Sequence, residues 1–459
     1  MSNVKGGSVN NSRGDRIKRI QKKAAPSRRV LVQKVGGVDR PFLICIILLL
    51  CMGTVMVFSA SYPYAKEYFD DSYRFARSQI IFALFGLGVM AAIAKFFNYR
   101  FIRRFSKIVM LVGIAMLVAV LVAGSGAKGA QRWLQIGPIS LQPSEIMKFA
   151  VVLFFADYAD KYANKISQKD NLYELRKPIA LSLFILVLGV LAFVFVPNKA
   201  VGVIFVLIAA GFAVAIMLPT NMEKNLPGIY YGILPYIGVL GVIGVLLYLQ
   251  PHLSGLVIIA GIIFCMMVIG GTNGWYLLMG MGAGIVGVLF LATTMSHSSA
   301  RLQVWRDPFQ YIKGDGWQPA QSLYAIGSGG LTGVGFGNSR QKHLYLPEPQ
   351  NDYIFSVWCE EMGFIGAVVL IAVFAFFIYR GIIIGLRAPD RFSSMLVIGI
   401  IMHVGLQVIL NIAVVTNTLP STGISLPFFS YGGTSLVILL AEMGVVLSVS
   451  RMSALEKTQ

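Results

Sequence analysis

Charged residues are scarce in this chain, and their scarcity excludes a soluble enzyme. Only 13% of the 459 residues are charged and 56% are hydrophobic, with a mean hydropathy of +0.72, whereas soluble domains carry roughly 25% charged residues. Apolar runs of about 20 residues, long enough to cross a bilayer, recur from residue 41 almost to the C-terminus. These membrane spans use up the length and leave no room for two soluble domains.

Disulfide and metal-binding patterns are also missing. The four cysteines stand in or beside apolar runs without paired spacing, and the four histidines lack the HExxH spacing of a helical zinc site. The sequence therefore predicts neither a disulfide framework nor a metal centre. We also expect no nucleic-acid partner.

Positive charge is concentrated at the N-terminus. Residues 1–40 hold eleven Lys or Arg against two Asp, which is about half of the net charge of +19. No apolar run precedes residue 41, as a cleavable signal peptide would require. We interpret residues 1–40 as a cytoplasmic tail whose charge orients the protein and is available to anionic lipid headgroups.

The apolar runs predict an all-α, polytopic membrane bundle with about twelve transmembrane helices. They lie near 41–61, 78–98, 107–124, 144–160, 177–197, 200–219, 228–249, 253–270, 275–295, 354–379, 392–412 and 428–449. Basic residues such as Arg103, Arg176 and Arg387 lie in turns expected to face the cytoplasm, which agrees with the positive-inside rule. The transmembrane domain then covers 41–451, and the C-terminus, 452–459, is cytoplasmic.

Three polar blocks interrupt this apolar pattern. The first contains Arg132 and Gln142-Pro143-Ser144-Glu145, and Lys148 follows three residues after Glu145, where the two side chains can pair on one helix face. The third, from Asn411 to Ser435, is broken by Pro and Gly, and such a backbone at membrane depth is tolerated where it lines protein or a cavity. Glu442 follows inside an apolar run, where an ionisable residue is usually paired or functional.

The second block is the long extracytoplasmic loop, about 296–353, which is rich in aromatic and charged residues. It carries cations that suit phosphate groups and carboxylates that suit general base catalysis. The cations are Arg301, Arg306, Lys313, Arg340 and Lys342, and the carboxylates are Asp307, Asp315, Glu348 and Asp352. This composition predicts a site for an anionic amphiphile at the outer membrane face.

The blocks together resemble the SEDS family (shape, elongation, division and sporulation), which has RWxxxGxxxxQPSExxK, LPExxxDFIFxxxxEExG and LPFxSYGGSS in this order. This chain reads RWLQIGPISLQPSEIMK, LPEPQNDYIFSVWCEEMG and LPFFSYGGTS. Its SRQKHLYLPEPQNDYIF run is closer to the version of the cell-division and sporulation members than to that of the rod-shape member. The resemblance covers about residues 40–451.

The resemblance implies a peptidoglycan glycosyltransferase that polymerises lipid II outside the cytoplasmic membrane, in cell division at the septum. It also implies a class B penicillin-binding protein and other divisome proteins as partners, and polyprenyl-pyrophosphate-linked glycan as the second substrate. No cofactor is implied with certainty, but a divalent cation, Mg or Mn, is an open alternative. Lipid II flipping and a non-catalytic scaffold are the alternative functions.

The chain departs from the family pattern in two places. The family usually has ten spans, so the runs 177–197 and 200–219 resemble an inserted hairpin; if that hairpin is re-entrant, the count returns to ten. The family's proposed catalytic Asp stands three residues after the loop proline, where this chain has Tyr311. A tyrosine with a pKa of about 10 is a poor base at neutral pH.

We therefore predict that the base is Asp307, or else Asp315. Polar residues of the three blocks are predicted to bind substrate. They are Arg132, Gln142, Ser144, Glu145, Lys148, Arg301, Arg306, Gln318, Ser322, Arg340, Lys342, Glu348, Asp352 and Ser430.

Overall fold

The computed structural model describes residues 37–124, 132–137, 139–168, 170, 184–185, 187–189, 226–294 and 296–453. Most of the predicted tail, most of the predicted span 177–197, all of the predicted span 200–219 and most of the C-terminus 452–459 therefore lie outside the described residues. The count of twelve spans stays a prediction.

Long apolar helices dominate the described chain, as predicted. The helices are α1 Arg40–Phe69, α2 Arg74–Phe96, α3 Tyr99–Arg104, α4 Ser106–Ala123, α5 Pro143–Lys161, α6 Ala163–Ile166, α7 Pro227–Gly232, α8 Leu234–Leu249, α9 Leu253–Gly270, α10 Gly274–Thr294, α11 Ser296–Arg306, α12 Trp317–Ser328, α13 Ile354–Leu386, α14 Arg391–Val415 and α15 Gly433–Met452. Strands β1 Leu134–Ile136 and β2 Ile139–Leu141 form an antiparallel pair. Among the described residues, eight helical segments are long and apolar enough to cross a membrane, so the chain is a multi-pass membrane protein.

Helix starts follow local chemistry. Asp39 accepts a hydrogen bond from the Phe42 amide at the start of α1, and Asp390 forms a capping box with Ser393 at the start of α14. Pro143 opens α5 as expected, because proline needs no amide partner in the first turn.

The centre of the bundle is formed by α5, α9, α14 and α15. The spanning windows of α9, α14 and α15 are 56–61% buried, whereas those of α2, α4 and α7–α8 are only 22–28% buried. The apolar side chains that α2 and α4 leave exposed suit contact with lipid, which has no need of a polar surface.

The two ends of the bundle are formed by different segments of the chain. The tail end contains Asp39, Phe97 and Ser450: the Asp39 amide donates to Ser450 Oγ, and Ser448 Oγ donates to the Phe97 carbonyl. The loop end carries 296–353 and 417–432. The segment predicted as one long loop contains the helices α11 and α12, and α11 is attached to the bundle because Trp305 Nε1 donates to the Asn417 carbonyl.

A break in α13 joins the loop to the bundle. Gly363 has a φ of 68° inside this helix, and a Cβ there would lie 2.2 Å from the Gly333 nitrogen, so only glycine fits. The break frees backbone groups that pair with the loop: Val334 donates to the Glu360 carbonyl and Phe364 donates to the Gly330 carbonyl. The loop is thereby bonded to the start of α13.

Candidate active site

Two arginines from distant parts of the chain approach each other at the loop end. Arg132, just before β1, donates to the Pro251 carbonyl, and Arg301 of α11 donates to the Ser421 carbonyl at 3.1 Å. Burial, and then the charge of Arg301, lowers the pKa of Arg132. Within the described residues neither guanidinium has a carboxylate within 4.0 Å. This end of the bundle therefore has positive charge available for a ligand.

Asp352 is the predicted carboxylate whose burial and pKa best suit a general base. It is half-buried, and a Cβ on Gly423 would lie 3.3 Å from its Oδ2, so the irregular segment passes closely over it. Burial, together with the nearby Glu348, raises the pKa of Asp352 to about 6, although Arg301 acts against this. A carboxylate with a pKa near the working pH suits proton transfer.

His252 is a neutral hydrogen-bonding group that the sequence reasoning missed. Its Nε2 lies 3.3 Å from Gln142 Nε2, and burial, followed by the charges of Arg132 and Lys148, lowers its pKa to about 3. The ring is therefore uncharged at neutral pH. The available sequence signal was the turn Gln250-Pro251-His252-Leu253-Ser254-Gly255, which resembles a QPDLG-like turn of the SEDS family.

The Pro- and Gly-broken segment 417–432 forms a wall of this site. Asn411 Nδ2 donates to the carbonyls of Asp352 and Ile424 at 2.7 and 2.6 Å, and thus joins the two strips of chain. The Tyr431 amide donates to the Gln350 carbonyl, and Ser430 Oγ accepts from the Leu426 amide at 2.7 Å. Internal polar contacts thus satisfy the irregular backbone at this depth, as such a backbone requires.

A buried polar row leads from the loop end into the bundle: Glu145, Lys148, Gln407, His403 and Glu442. The predicted Glu145–Lys148 pair is confirmed at 2.7 Å, and Lys148 Nζ also donates to Gln407 Oε1 at 3.0 Å. His403 Nε2 lies 3.2 Å from the same Gln407 oxygen, and its Nδ1 lies 3.3 Å from Glu442 Oε2. A cavity of about 30 Å³ beside this row has room for one or two waters.

Lys342 occupies a different position from the one expected for an exposed phosphate ligand. Its side chain is fully buried, and its ammonium donates to Glu361 Oε1 at 2.8 Å, Ser59 Oγ at 3.1 Å and the Gly337 carbonyl at 2.7 Å. In this structure Lys342 holds the loop against α1 and α13, and we no longer propose it as a phosphate ligand.

The remaining predicted residues are exposed or have other contacts. Asp307 accepts from the Phe309 amide at 3.0 Å, and Asp315 is exposed. Several others are exposed or bonded within the loop region: Arg306 and Arg340 are exposed, Gln318 donates to the Pro347 carbonyl, Ser322 donates to the Val415 carbonyl, Glu348 accepts from Asn351, and Ser144 Oγ is buried without a partner in the part described. Electrostatic interactions thus link Arg301 to Arg132 and to Asp352, whereas Asp307 bonds to the backbone of its own turn and Asp315 is exposed.

Metal-ligand clusters of three or more His, Cys, Asp or Glu do not occur among the described residues. The divalent cation stays a prediction, which the pair of arginines neither requires nor excludes.

Comparison with known proteins identifies the family. Residues 39–222 and 204–455 match the FtsW/RodA/SpoVE family model, described as cell cycle protein. Stage V sporulation protein E of Bacillus subtilis (strain 168) is 35% identical over 92% of this chain and 100% of its own length. Probable peptidoglycan glycosyltransferase FtsW of Trichlorobacter lovleyi is 33% identical over 91% of this chain and 94% of its own length.

Solved structures share the fold. A chain of a peptidoglycan synthase complex that coordinates polymerization and crosslinking matches with a TM-score of 0.64 and 22% identity, covering 91% of this chain and 99% of that one. RodA, the rod shape determining protein of Thermus thermophilus, matches with a TM-score of 0.56 and 23% identity, covering 91% and 97%. The chain belongs to the FtsW/RodA/SpoVE family of polytopic membrane proteins.

Proposed function

We propose that this protein is a peptidoglycan glycosyltransferase that uses lipid II. The family and the names of the relatives support the activity, and one observation carries the site. Arg301 interacts electrostatically with both Arg132 and the half-buried Asp352, and neither arginine has a carboxylate within 4.0 Å in the described chain. A pyrophosphate-linked glycan needs cations for its leaving group and a base for the acceptor. The loop end supplies both.

The reaction follows from these groups. A loop carboxylate takes the proton of the 4-hydroxyl of the lipid II acceptor, and that oxygen forms a bond to the anomeric carbon of the growing chain. The bond from this carbon to the pyrophosphate oxygen breaks, and the arginines offset the charge that develops on the polyprenyl pyrophosphate. A single displacement inverts the anomeric centre.

We prefer Asp352 as the base over Asp307 and Asp315. Asp352 combines partial burial with a pKa of about 6 and lies close enough to Arg301 to interact electrostatically. Asp307 accepts a bond from the backbone of its own turn, and Asp315 is exposed. Because Tyr311 stands where the family has its proposed catalytic Asp, a general base in this chain has to be a carboxylate at another position.

The orientation, location and partner of the protein are inferred from its family. We propose that the tail end faces the cytoplasm, that the loop end faces outwards at the division septum, and that a class B penicillin-binding protein crosslinks the product. The structural neighbour from a synthase complex supports such a partner.

The buried polar row favours lipid II flipping as a second candidate function. Glu442 and His403 lie near the midpoints of α15 and α14, and ionisable groups at such depth often mark a transport pathway. A flippase would depend on this row more than on the loop carboxylates.

The direct test uses purified full-length protein, its penicillin-binding partner and labelled lipid II. Asp352→Asn should lower glycan polymerisation by about a hundredfold or more, since general base catalysis contributes about 10²–10⁴-fold. Asp307→Asn and Asp315→Asn are the matched controls and should keep most of the activity. Loss confined to Asp307→Asn or Asp315→Asn would move the base to that residue, and an inactive wild type would favour the flippase or the scaffold.

The pH profile tests the same assignment. Asp352 must be ionised to accept a proton, so polymerisation should rise as pH increases through about 6 and level off above 7. In the Asp352→Asn protein this rise should disappear from the residual rate. A wild-type rate that does not change between pH 5 and 7 would contradict Asp352 as the base.

A further inference from the structure

A basic cleft at the tail end lies outside the proposed active site. It has a volume of about 650 Å³, within the range of about 300–1,000 Å³ usual for small-molecule sites. Its charged lining consists of Arg100, Arg103, Arg104, Lys107, Asp157 and Asp390.

Both carboxylates of this cleft are already bonded within the protein. Asp157 accepts from Arg103 Nε at 2.7 Å and from Ser106 Oγ at 3.0 Å. Asp390 accepts from Tyr99 Oη at 2.5 Å and from the Ser393 amide at 2.8 Å. Asp157 therefore pairs with Arg103, and Asp390 bonds at the helix start. Of the other three bases, Arg100, Arg104 and Lys107, Arg100 interacts electrostatically with Asp390.

Those three bases are exposed and free of carboxylates. Arg100, Arg104 and Lys107 have no Asp or Glu within 4.0 Å in the part of the chain that the structure describes. Arg100 lies over the Tyr99 ring at 5.9 Å, an attractive contact that leaves its charge in place. The cleft thus presents the charges of Arg104 and Lys107 to an anion, together with that of Arg100, which Asp390 offsets in part.

A row of exposed phenylalanines runs along the same short segment. Phe97, Phe101 and Phe105 are 45%, 50% and 38% exposed, and consecutive rings lie 6.4 and 5.0 Å apart. The three phenylalanines follow one another at intervals of four residues, and Arg100, Arg104 and Lys107 follow one another at intervals of four and three. The segment of α3 and its flanks therefore carries an aromatic face beside a basic one. A soluble anion gains no binding energy from the aromatic face, whereas the acyl chains of a lipid can pack against it.

We propose that this cleft binds the headgroup of an anionic phospholipid in the leaflet at the tail end. The phosphate lies against Arg104 and Lys107, and the acyl chains lie along the phenylalanine row. Basic pockets between transmembrane helices bind anionic headgroups through this combination of charge and membrane depth.

Binding of short-chain phosphatidylglycerol to the purified full-length protein tests the proposal. The variant Arg104→Gln/Lys107→Gln should bind it about tenfold more weakly or worse, because each base near an anionic lipid contributes measurably. The matched control Lys161→Gln/Arg387→Gln removes two exposed bases from the same end but outside the cleft, and should bind as the wild type does. All variants keep the basic tail, and their thermal unfolding midpoints should match that of the wild type.

Two further arms separate a lipid from a free anion. Short-chain phosphatidylcholine and inorganic phosphate should each bind far more weakly than phosphatidylglycerol. Phe101→Ser should weaken phosphatidylglycerol binding several-fold and leave phosphate binding unchanged. Equal losses from cleft and control variants would overturn the site, and phosphate binding as tight as that of the lipid would overturn the lipid assignment.

Discussion

Two buried lysines, each paired with a glutamate, differ in how completely their surroundings satisfy them. The Lys342–Glu361 pair has side chains that are 0% exposed, and the ammonium has three acceptors. The Lys148–Glu145 pair has a glutamate that is 17% exposed and lies beside a small cavity. The first pair is closed to any ligand, whereas the second is open to one.

The neighbours of the two pairs reinforce the difference. The Ser59 hydroxyl lies 2.7 and 2.9 Å from the two oxygens of Glu361, so each of these oxygens has a partner. Near Lys148, by contrast, Ser144 Oγ and Glu442 Oε1 have no hydrogen-bond partner in the described chain, and His403 Nδ1 and Glu442 Oε2 face only each other, at 3.3 Å. Buried polar groups left unsatisfied cost stability, so a protein that keeps them usually needs them for another purpose. We infer that Lys342 serves the fold and Lys148 serves the site.

Removing the closed pair's cation should have the largest effect on stability. Lys342→Met leaves Glu361 as a buried unpaired charge, which costs about 3–5 kcal/mol of the free energy of unfolding. Thermal unfolding of the purified protein in detergent measures this loss. The double variant Lys342→Met/Glu361→Leu should recover much of this loss. A Lys342→Met protein as stable as the wild type would contradict a structural role for Lys342.

Removing the open pair's cation should affect activity more than stability. Lys148→Met deprives Glu145 and Gln407 of one partner, but the cavity admits water, so we expect a loss of about 1–2 kcal/mol. Polymerisation of labelled lipid II should fall at least about tenfold, because a residue of the site is lost. A Lys148 variant with normal polymerisation and the stability loss expected for Lys342→Met would reverse the two roles.

The smallest loss of stability should come from a substitution of Ser59, the serine of α1 that bonds to Lys342 of the loop. Ser59→Ala removes one hydrogen-bonding group from a pair that keeps its main contact, which costs about 1 kcal/mol. Thr54→Val is the matched control, since Thr54 bonds only to the Leu50 carbonyl of its own helix at 2.7 Å. Unfolding midpoints of the two variants that fall by the same amount would argue against a link between Ser59 and the loop.

The sequence predicted the open pair but not the closed one, because their contacts differ in range. Glu145 and Lys148 are three residues apart on one helix, so helical geometry alone brings them together. Lys342 meets Ser59 across 283 residues of sequence, and only the packed bundle shows that its side chain turns inward. The same limit applied to His252, whose electrostatic neighbours Arg132 and Lys148 come from other segments, and to the effect of the distant Arg301 on Asp352.

Helix positions were predicted better than helix ends. Hydropathy located α1 near 41–61, but the helix continues through Pro63 to Phe69. Beyond the apolar run its residues are polar and aromatic, so hydropathy carried no signal there. The helices α11 and α12 were missed for the same reason, since their residues are too polar to be identified as membrane spans.

The length of α1 sets a height for the loop. At about 1.5 Å per residue, Ser59 lies about 29 Å from the start of this helix, close to the hydrocarbon thickness of about 30 Å. Lys342, bonded to Ser59, therefore holds its part of the loop at the level of the lipid headgroups. The proposed polyprenyl-linked substrate can then keep its tail dissolved in the bilayer while its pyrophosphate is within reach of the protein.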